Sequence, residues 1–213
     1  LAAIAAGPAA AHPHVFVNAR SEIVFDPAGR ITAVRHIWQF DEAFTSYATL
    51  NLDADNDGQL TQEELDPLAK INVDSLQEFD FFTDLRVGER TIAFKPPSEY
   101  FLQFHDQRLT LYYTLPLAEP AVVDATVTLD VFDPEYFVAF TFSPDAYATL
   151  DGAAAACTVA FQPPGELDAE TMATLGQIPM DQRDIPEDLV AAASVLANVI
   201  IITCPTPTGV AAE

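Results

Sequence analysis

The sequence predicts an α+β protein in which an antiparallel β-sandwich-like body carries an inserted EF-hand helix-loop-helix. Short runs rich in Val, Ile, Phe and Tyr, each bounded by Pro, Gly or Asp, recur along most of the 213 residues, and this spacing is typical of antiparallel strands. Between about residues 42 and 79 the apolar residues instead recur at helical intervals on either side of an acidic loop. Together these observations predict one β-rich body with one helical insertion.

A hairpin opens the predicted body. Its strand-like runs, residues 14–26 and 31–41, are separated by four residues that begin with Pro and include Gly. Further strand patterns lie at residues 85–94, 99–106, 108–115, 125–133 and 136–142. Their close spacing indicates a sheet or sandwich built from strands that are near neighbours in the chain.

The inserted segment predicts two helices. Before the acidic loop, Phe44, Tyr47 and Leu50 share one helical face. Beyond the loop, a second apolar face consists of Leu65, Leu68, Leu76 and Phe79. Pro67 lies past the positions at which a helix readily accepts proline, so we expect it to bend the second helix or to shorten its first segment.

The first residues predict an exported protein, and the net charge limits its partners. The 32 acidic and 9 basic residues give a net charge of -23, which disfavours nucleic acid and anionic lipid as partners. Residues 1–11 are small, apolar and uncharged and end in an A-x-A arrangement, as a secretory signal does before its cleavage site. We therefore expect a soluble periplasmic or secreted protein that begins at His12. The apolar run 189–204 contains two polar residues and is shorter than the ~20 residues of a membrane helix, so no direct membrane insertion is expected.

The last third predicts a strand around Cys157, helical stretches near residues 170–175 and 186–197, and a final strand over residues 199–204. Two cysteines in an exported chain favour a disulfide between Cys157 and Cys204, which would stabilise the fold by about 4 kcal/mol. The Pro-Pro-Gly segment at residues 163–165 marks either a linker or an internal loop. Because the disulfide crosses it, we favour a single domain over residues 12–204, followed by a tail of residues 205–213.

The acidic loop fits a calcium site. Positions 1, 3, 5, 7, 9 and 12 of a twelve-residue EF-hand loop are Asp53, Asp55, Asp57, Gln59 (through its backbone carbonyl), Thr61 and Glu64. Gly58 occupies the sixth position, where the chain must turn sharply. These hard oxygen ligands favour Ca²⁺ over softer metals.

A structural role for the calcium is favoured over signalling. Thr61 and Glu64 also form a capping box for the following helix, so Glu64 has a use without the ion. No second loop of this pattern occurs in the sequence, whereas calcium sensors usually carry paired loops. A single loop in an exported protein suits the affinities of extracellular modules, about 10⁻⁴ to 10⁻³ M.

His12 and His14 form a candidate transition-metal site. Cleavage after Ala11 makes His12 the N-terminal residue, so its amine and its imidazole can chelate one Zn²⁺, Ni²⁺, Co²⁺ or Cu²⁺ ion with His14 beside it. Pro13 excludes the familiar amino-terminal copper motif, which needs a deprotonated amide at the second residue. The competing interpretation is a frayed terminus.

His36 is the candidate third ligand. Simple pairing of the first hairpin places His36 near Arg20 and places His14 near Asp41 and Glu42, about six residues or roughly 20 Å away. Either the two strands do not pair directly, or Asp41 and Glu42 complete the site instead. The alternative for His36 is an ordinary sheet residue whose hydrogen bonds are satisfied.

The sequence does not predict an enzyme. Its Ser and Thr residues are scattered, and it contains neither a G-x-S-x-G motif nor a glycine-rich phosphate loop. Asp80 and Asp133 lie among aromatic residues, but a helix end and a strand-end turn explain them more simply. His105, beside Asp106, fits a surface strand.

Five segments, AHPHVFV, AVRHIWQFDEAF, DADNDGQLTQEEL, NVDSLQEFDFFT and VFDPEYFVAF, occur in this order over residues 11–143. Their order and composition resemble the bacterial DUF1007 family, which is described as periplasmic components of uncharacterised transport systems. The matching positions are His12, His14, His36, Trp38 and the acidic loop, and the two cysteines are compatible with the resemblance.

The resemblance implies a periplasmic accessory to transition-metal transport, with a membrane metal transporter as its partner. We therefore expect a metal-binding accessory protein of Zn, Ni, Co or Cu transport with a structural calcium site. The alternative is a calcium-dependent protein-interaction module that handles no transition metal.

Overall fold

The computed structural model describes residues 13–153, 156–175 and 194–205, together with Pro186 and Leu189. This part of the chain has a mixed α/β fold that consists mostly of strands in two sheets, accompanied by three α-helices. The predicted signal remnant, His12, half of the predicted helix 186–197 (residues 187, 188 and 190–193) and the tail beyond Pro205 lie outside the described residues.

The strands in chain order are β1 (Val15–Phe25), β2 (Arg30–Phe40), β3 (Thr83–Val87), β4 (Arg90–Thr91), β5 (Glu99–His105), β6 (Arg108–Val122), β7 (Val127–Val131), β8 (Val138–Phe142), β9 (Ala148–Asp151), β10 (Thr158–Gln162) and β11 (Asn198–Thr203). The α-helices are α1 (Glu42–Ala48), α2 (Gln62–Leu76) and α3 (Ala169–Leu175). Short 3₁₀ segments span Gln77–Phe82 and Ser194–Leu196. Each predicted strand corresponds to one or two of these strands, and β9 is an addition that the sequence pattern did not predict.

The first sheet has the order β5-β6-β2-β1-β8, and β9 also pairs with β1. Both β8 and β9 run parallel to β1, end to end along its edge, so the prediction of a purely antiparallel body is wrong here. The reason lies in the path of the chain, because β7 belongs to the second sheet and the chain must cross back to reach β8. The second sheet, β10-β11-β7-β3-β4, is antiparallel throughout.

The predicted hairpin of β1 and β2 is confirmed, but its register is not the simple one. The ladder is irregular between Val24 and Phe25, and this bulge shifts the pairs beyond it by one residue. His36 consequently lies opposite Ser21 and not opposite Arg20.

The two sheets and α2 enclose one apolar core. Trp38 of β2, Leu129 of β7 and Ile200 of β11 are almost wholly buried within it. The apolar face predicted for the second helix is confirmed, since Leu65 is buried and Leu68, Leu76 and Phe79 pack against the core. α2 is not shortened by Pro67. The missing N–H of this proline removes only a bond to the carbonyl of exposed Glu63, which water can replace.

The apolar face predicted for the first helix is wrong beyond its first residue. Phe44 packs against the core, but Tyr47 and Leu50 are 75% and 65% exposed. The buried residue is Thr45, whose hydroxyl oxygen accepts the backbone N–H of Leu109 at 3.2 Å. α1 ends at Ala48, so Leu50 lies beyond the helix and follows no helical spacing.

The predicted disulfide between Cys157 and Cys204 is confirmed, and both cysteines participate in it. The antiparallel register of β10 and β11, with Thr158 opposite Thr203, places the two cysteines opposite each other one residue further along. The bond therefore fastens β11 to its neighbour β10. In the described part of the chain, no helix is both long and apolar enough to cross a membrane.

Candidate metal loop and adjoining cavity

Asp41 anchors the helical insertion to the first sheet. One carboxylate oxygen accepts the N–H of Phe44 and so caps α1, and the other accepts the N–H of Phe16 at 2.8 Å. The N–H of Asp41 donates in turn to the carbonyl of Phe16. Both oxygens of Asp41, one of the candidate transition-metal ligands, therefore already hold the start of α1 on β1.

The acidic loop brings three carboxylates together between α1 and α2. Oxygen atoms of Asp53, Asp55 and Asp57 lie within 4.8 Å of one another. Asp53 accepts the N–H groups of Asp57 and Gly58 at 3.1 and 2.9 Å, which folds the loop around this residue. Gly58 has a φ of +81°, a left-handed conformation that favours glycine. The turn that brings the three carboxylates together therefore depends on Gly58.

Glu64 closes the loop from the first turn of α2. One of its oxygens accepts the N–H of Ala54 at 2.8 Å, and the other accepts the N–H and the hydroxyl of Thr61, both at 2.9 Å. The predicted capping box of Thr61 and Glu64 is confirmed. The bonds from Thr61 and from Ala54 hold the pKa of Glu64 below its usual value, so the carboxylate is charged at neutral pH. The carboxylate of Glu64 therefore reaches across the loop to Ala54, which is next to Asp53.

Among the described residues, the structure does not bring His14, His36, Asp41 and Glu42 into one metal site. Within the described residues, the three aspartates are the one group of three His, Cys, Asp or Glu side chains arranged to share an ion. Glu42 is exposed and lies 3.7 Å from the guanidinium of Arg108. The ring of His14 packs on Phe137 near the start of β1. Ser21, the partner of His36, is seven residues further along β1 than His14, or about 23 Å.

His36 belongs to a buried chain of hydrogen bonds. Its Nδ1 lies 3.1 Å from the hydroxyl of Ser21, and its Nε2 lies 3.2 Å from the hydroxyl of Thr83. Thr83 donates its single hydroxyl hydrogen to the carbonyl of Phe81 at 2.7 Å, so it must accept from Nε2–H of His36. Nδ1 then accepts from Ser21. Burial lowers the pKa of His36 to about 3, and the ring is neutral.

This chain of hydrogen bonds joins the two sheets and is closed to solvent. Ser21 and His36 lie on the first sheet, Thr83 begins β3 of the second sheet, and Ser21 and His36 have no exposed surface. The pair of Ser21 and His36 resembles a nucleophile and its base in composition, but a substrate cannot reach a hydroxyl that has no accessible surface. The interpretation of His36 as a satisfied sheet residue is confirmed.

A cavity of about 410 Å³ lies between the insertion and the first sheet. Its aromatic wall consists of Trp38, Phe40, Phe44, Phe79, Phe82, Phe137 and Phe140. Residues of α1 and α2 both contribute to it, so the two helices that flank the acidic loop also shape the cavity. Glu78 and Glu135 add carboxylates to its lining, together with Asp133.

Asp133 shapes one side of this cavity through its backbone contacts. Its oxygens accept the N–H groups of Glu135, Phe137 and Val138 at 2.8 to 2.9 Å. The side chain is 4% exposed. The interpretation of Asp133 as a residue of a strand-end turn is confirmed, and this turn sets Glu135 and Phe137 against the cavity.

A strained turn supplies another part of the lining. Asp80, Phe81 and Phe82 have φ values of +48°, +56° and +50°. Such left-handed conformations cost bulky residues about 1 to 2 kcal/mol each. The turn ends the insertion and directs Phe82 into the buried wall of the cavity, where it lies 5.6 Å from Phe140 and 5.2 Å from Phe79.

Residues 1–204 match the family described as "Protein of unknown function (DUF1007)". The chain belongs to the DUF1007 family. This DUF1007 protein is 24% identical over 196 residues to an uncharacterised protein of Haemophilus influenzae, a match that covers 91% of each chain. It is also 25% identical over 103 residues to an uncharacterised 15.5 kDa protein in the trpE 3′ region of Spirochaeta aurantia, a match that covers 47% of this chain and 74% of the relative.

Sequence reasoning about this DUF1007 protein missed the cavity. Its lining residues come from β1, β2, β6, β8, the helical insertion and the turn after β7. A one-dimensional pattern does not reveal such a set. The available signal was the density of aromatic residues in the segments EFDFF and DPEYF. Together these segments supply six lining residues, Glu78, Phe79, Phe82, Asp133, Glu135 and Phe137.

Proposed function

We propose that this protein is an exported calcium-binding protein whose ion is held by the loop from Asp53 to Glu64. The convergence of the carboxylates of Asp53, Asp55 and Asp57 to within 4.8 Å carries the proposal. Like charges at that separation repel by roughly 1 kcal/mol per pair in water. Within the described residues, no basic side chain forms an ion pair with any of the three. A bound Ca²⁺ removes this repulsion.

The ion's role in this proposal is to brace the insertion. Calcium takes six to eight oxygen ligands, which the three aspartates, the carbonyl of Gln59, Thr61 and a bidentate Glu64 supply together with water. The aspartates follow α1, and Glu64 lies in the first turn of α2. The ion therefore ties together the two helices that cover one part of the core.

Export to the periplasm is part of the proposal. The disulfide between Cys157 and Cys204 is compatible with an oxidising compartment, and the small apolar residues 1–11 resemble the end of a secretory signal. Millimolar calcium outside the cytoplasm suits a loop of moderate affinity.

Melting curves of a Glu64→Gln variant test the calcium site. We expect the substitution to lower the melting temperature in calcium but to change it little in chelator, because a glutamine side chain keeps the helix cap and loses one charged ligand. Glu63→Gln is the matched control, since it removes the same charge from the same turn outside the ligand set. Equal shifts of Glu64→Gln in calcium and in chelator would falsify the site.

Transition-metal traffic remains a separate proposal for His12 and His14. Neither His36 nor Asp41 supports it, because both already use their polar atoms within the fold. The test is metal binding by the protein that begins at His12, compared with a His12→Ala, His14→Ala double variant. If Zn²⁺, Ni²⁺, Co²⁺ and Cu²⁺ bind both proteins equally, His12 and His14 are not metal ligands, and the proposed accessory role beside a membrane metal transporter is contradicted.

A calcium-dependent interaction module is the second candidate. It is favoured by three large apolar side chains that the insertion exposes, Tyr47, Leu50 and Ile71, at 75%, 65% and 61%. Partner capture from a periplasmic extract should then require calcium and should be lost in a Leu50→Ser, Ile71→Ser variant. Capture that is unchanged by chelator would remove this candidate.

A further inference from the structure

The outer face of the first sheet carries an open depression of about 400 Å³. Its lining comes from β1, β2, β6 and β8 and from the loop that joins β8 to β9. We propose that this depression binds a saccharide unit that carries a carboxylate, such as a uronic acid residue of an oligosaccharide. The depression shares no residue with the acidic loop, so the inference goes beyond the calcium proposal and does not depend on it.

The register of the first sheet arranges the lining side chains in two adjacent rows. The first row consists of Arg20, Ile37, Tyr112 and Phe101, on β1, β2, β6 and β5 in that order. The second row lies two residues along each strand and consists of Thr141, Asn18, Gln39 and Thr110, on β8, β1, β2 and β6. Side chains two residues apart on a strand share one face of the sheet, so both rows face outward.

Arg20 and Tyr112 border a slot whose floor is Ile37. The two side chains are two strands apart, or roughly 10 Å, which leaves room for a sugar ring stacked on Tyr112. The ring of Tyr112 stacks on Phe101, with centroids 4.6 Å apart and planes 7° apart. Phe101 covers one face of Tyr112, so the other face is directed towards Ile37 and the slot. The face of an aromatic ring carries partial negative charge, which suits the C–H bonds on one side of a sugar.

Arg20 supplies a free positive charge at the other side of the slot. The residue is exposed, and its guanidinium forms no ion pair within the described residues, although the chain has 32 acidic residues to 9 basic ones. No Asp or Glu is among the described residues that line the depression. The guanidinium is therefore available to a carboxylate, which arginine binds through two parallel hydrogen bonds. The net charge of -23 opposes an anion only weakly at this site, because physiological salt screens exposed charges beyond about 8 Å.

The second row favours a ligand rich in hydroxyl groups over a plain carboxylate. Its four residues carry amide or hydroxyl groups, and Ser143 adds a hydroxyl from the neighbouring loop. In the described part of the chain, these five side chains make no hydrogen bond. Amides and hydroxyls both donate and accept hydrogen bonds, as the hydroxyls of a sugar do. A rigid sheet thus presents several unused donors and acceptors beside one aromatic face and one cation, which is the composition of a specific polar site.

The test is isothermal titration calorimetry of the complete protein with calcium present. The probe is trigalacturonic acid. Its trimethyl ester keeps the sugar rings without the charge, and tricarballylate keeps the carboxylates without a ring. We expect the acid to bind about tenfold more tightly than either comparison compound. Equal affinity of the acid and either compound, or no binding heat with millimolar acid, would overturn the proposal.

Variants separate the contributions of Arg20 and Tyr112. Arg20→Gln should weaken the acid about tenfold and leave the ester within about twofold, because the ester has no carboxylate for the guanidinium. Lys95→Gln is the matched control, since Lys95 is exposed, lies outside the depression and has no ion pair with another described residue. It should leave both affinities unchanged. Tyr112→Leu keeps an apolar side chain but removes the ring, so it should weaken the acid and the ester alike. An equal effect of Arg20→Gln and Lys95→Gln on the acid, whether a loss or none, would contradict the site.

Discussion

Replacing His36 with Gln should make the stability of the fold less sensitive to acid. His36 is fully buried, and burial lowers its pKa from 6.5 to about 3. In the unfolded chain the imidazole binds a proton as the pH falls through its ordinary pKa, whereas the folded protein does not accept one until much lower pH. The unfolded state therefore binds more protons in this window. The stability that His36 contributes is present above pH 6.5 and is lost as the pH falls towards 3.

The size of the effect follows from the two pKa values. Between pH 8 and pH 5, protonation of the unfolded imidazole should lower the free energy of unfolding by about 2 kcal/mol. Gln retains a donor and an acceptor for Thr83 and Ser21, but it has no proton to bind. His36→Gln should be less stable than the wild type at pH 8 because the amide fits the ring's space imperfectly, and it should lose about 2 kcal/mol less on going to pH 5.

Urea unfolding at pH 8 and pH 5 measures this difference. Chelator is present throughout, so that competition between protons and calcium at the acidic loop does not contribute. His105→Gln is the matched control, because the side chain of His105 is 82% exposed and its removal should leave the pH dependence within a few tenths of a kcal/mol of the wild type. A His36→Gln variant that loses as much stability as the wild type between the two pH values would refute the neutral, buried state of His36.

Three further variants test local features of the fold by urea unfolding. Gln107, in the tight turn between β5 and β6, has a φ of +58°, so Gln107→Gly should raise stability by about 1 kcal/mol, and a decrease would contradict the turn conformation. A Cβ at Gly152 would lie 2.7 Å from the carbonyl oxygen of Phe25, so Gly152→Ala should cost about 2 kcal/mol, and a neutral effect would show that β9 is not held against β1. Cys157→Ser with Cys204→Ser should cost about 4 kcal/mol because 47 residues separate the cysteines, and an unchanged stability would show that the loop is already constrained in the unfolded state.

Local patterns predicted most of the secondary structure and the convergence of the three aspartates in the acidic loop. The strand runs, α2 and the capping box of Thr61 and Glu64 follow from side-chain periodicity and from hydrogen bonds between residues close in sequence. The same reasoning failed for α1. Its buried face is set by Asp41, which binds the backbone of Phe16, and by Thr45, which binds that of Leu109, and neither partner is visible from the periodicity of a seven-residue helix.

The register of the first hairpin shows a second limit. A bulge at Val24 and Phe25 moves His36 by one residue relative to β1. That shift places His36 opposite Ser21, and the packing of the second sheet then supplies Thr83. A single-residue change of register decides which side chains face each other, and no local signal in the turn residues announced the bulge.

The sequence by itself determined the strand content and the spacing of the oxygen ligands in the acidic loop, because both depend on residue type and short-range spacing. It also determined the pairing of Cys157 with Cys204, because the chain has only these two cysteines. The tertiary structure alone decided the parallel placement of β8 and β9, the neutral state of His36 and the existence of the aromatic cavity. These features arise where segments far apart in the chain exclude water from one another. The exclusion of water lowers the pKa of His36, and the packing of distant segments encloses the cavity. Neither effect can be seen without the packed fold.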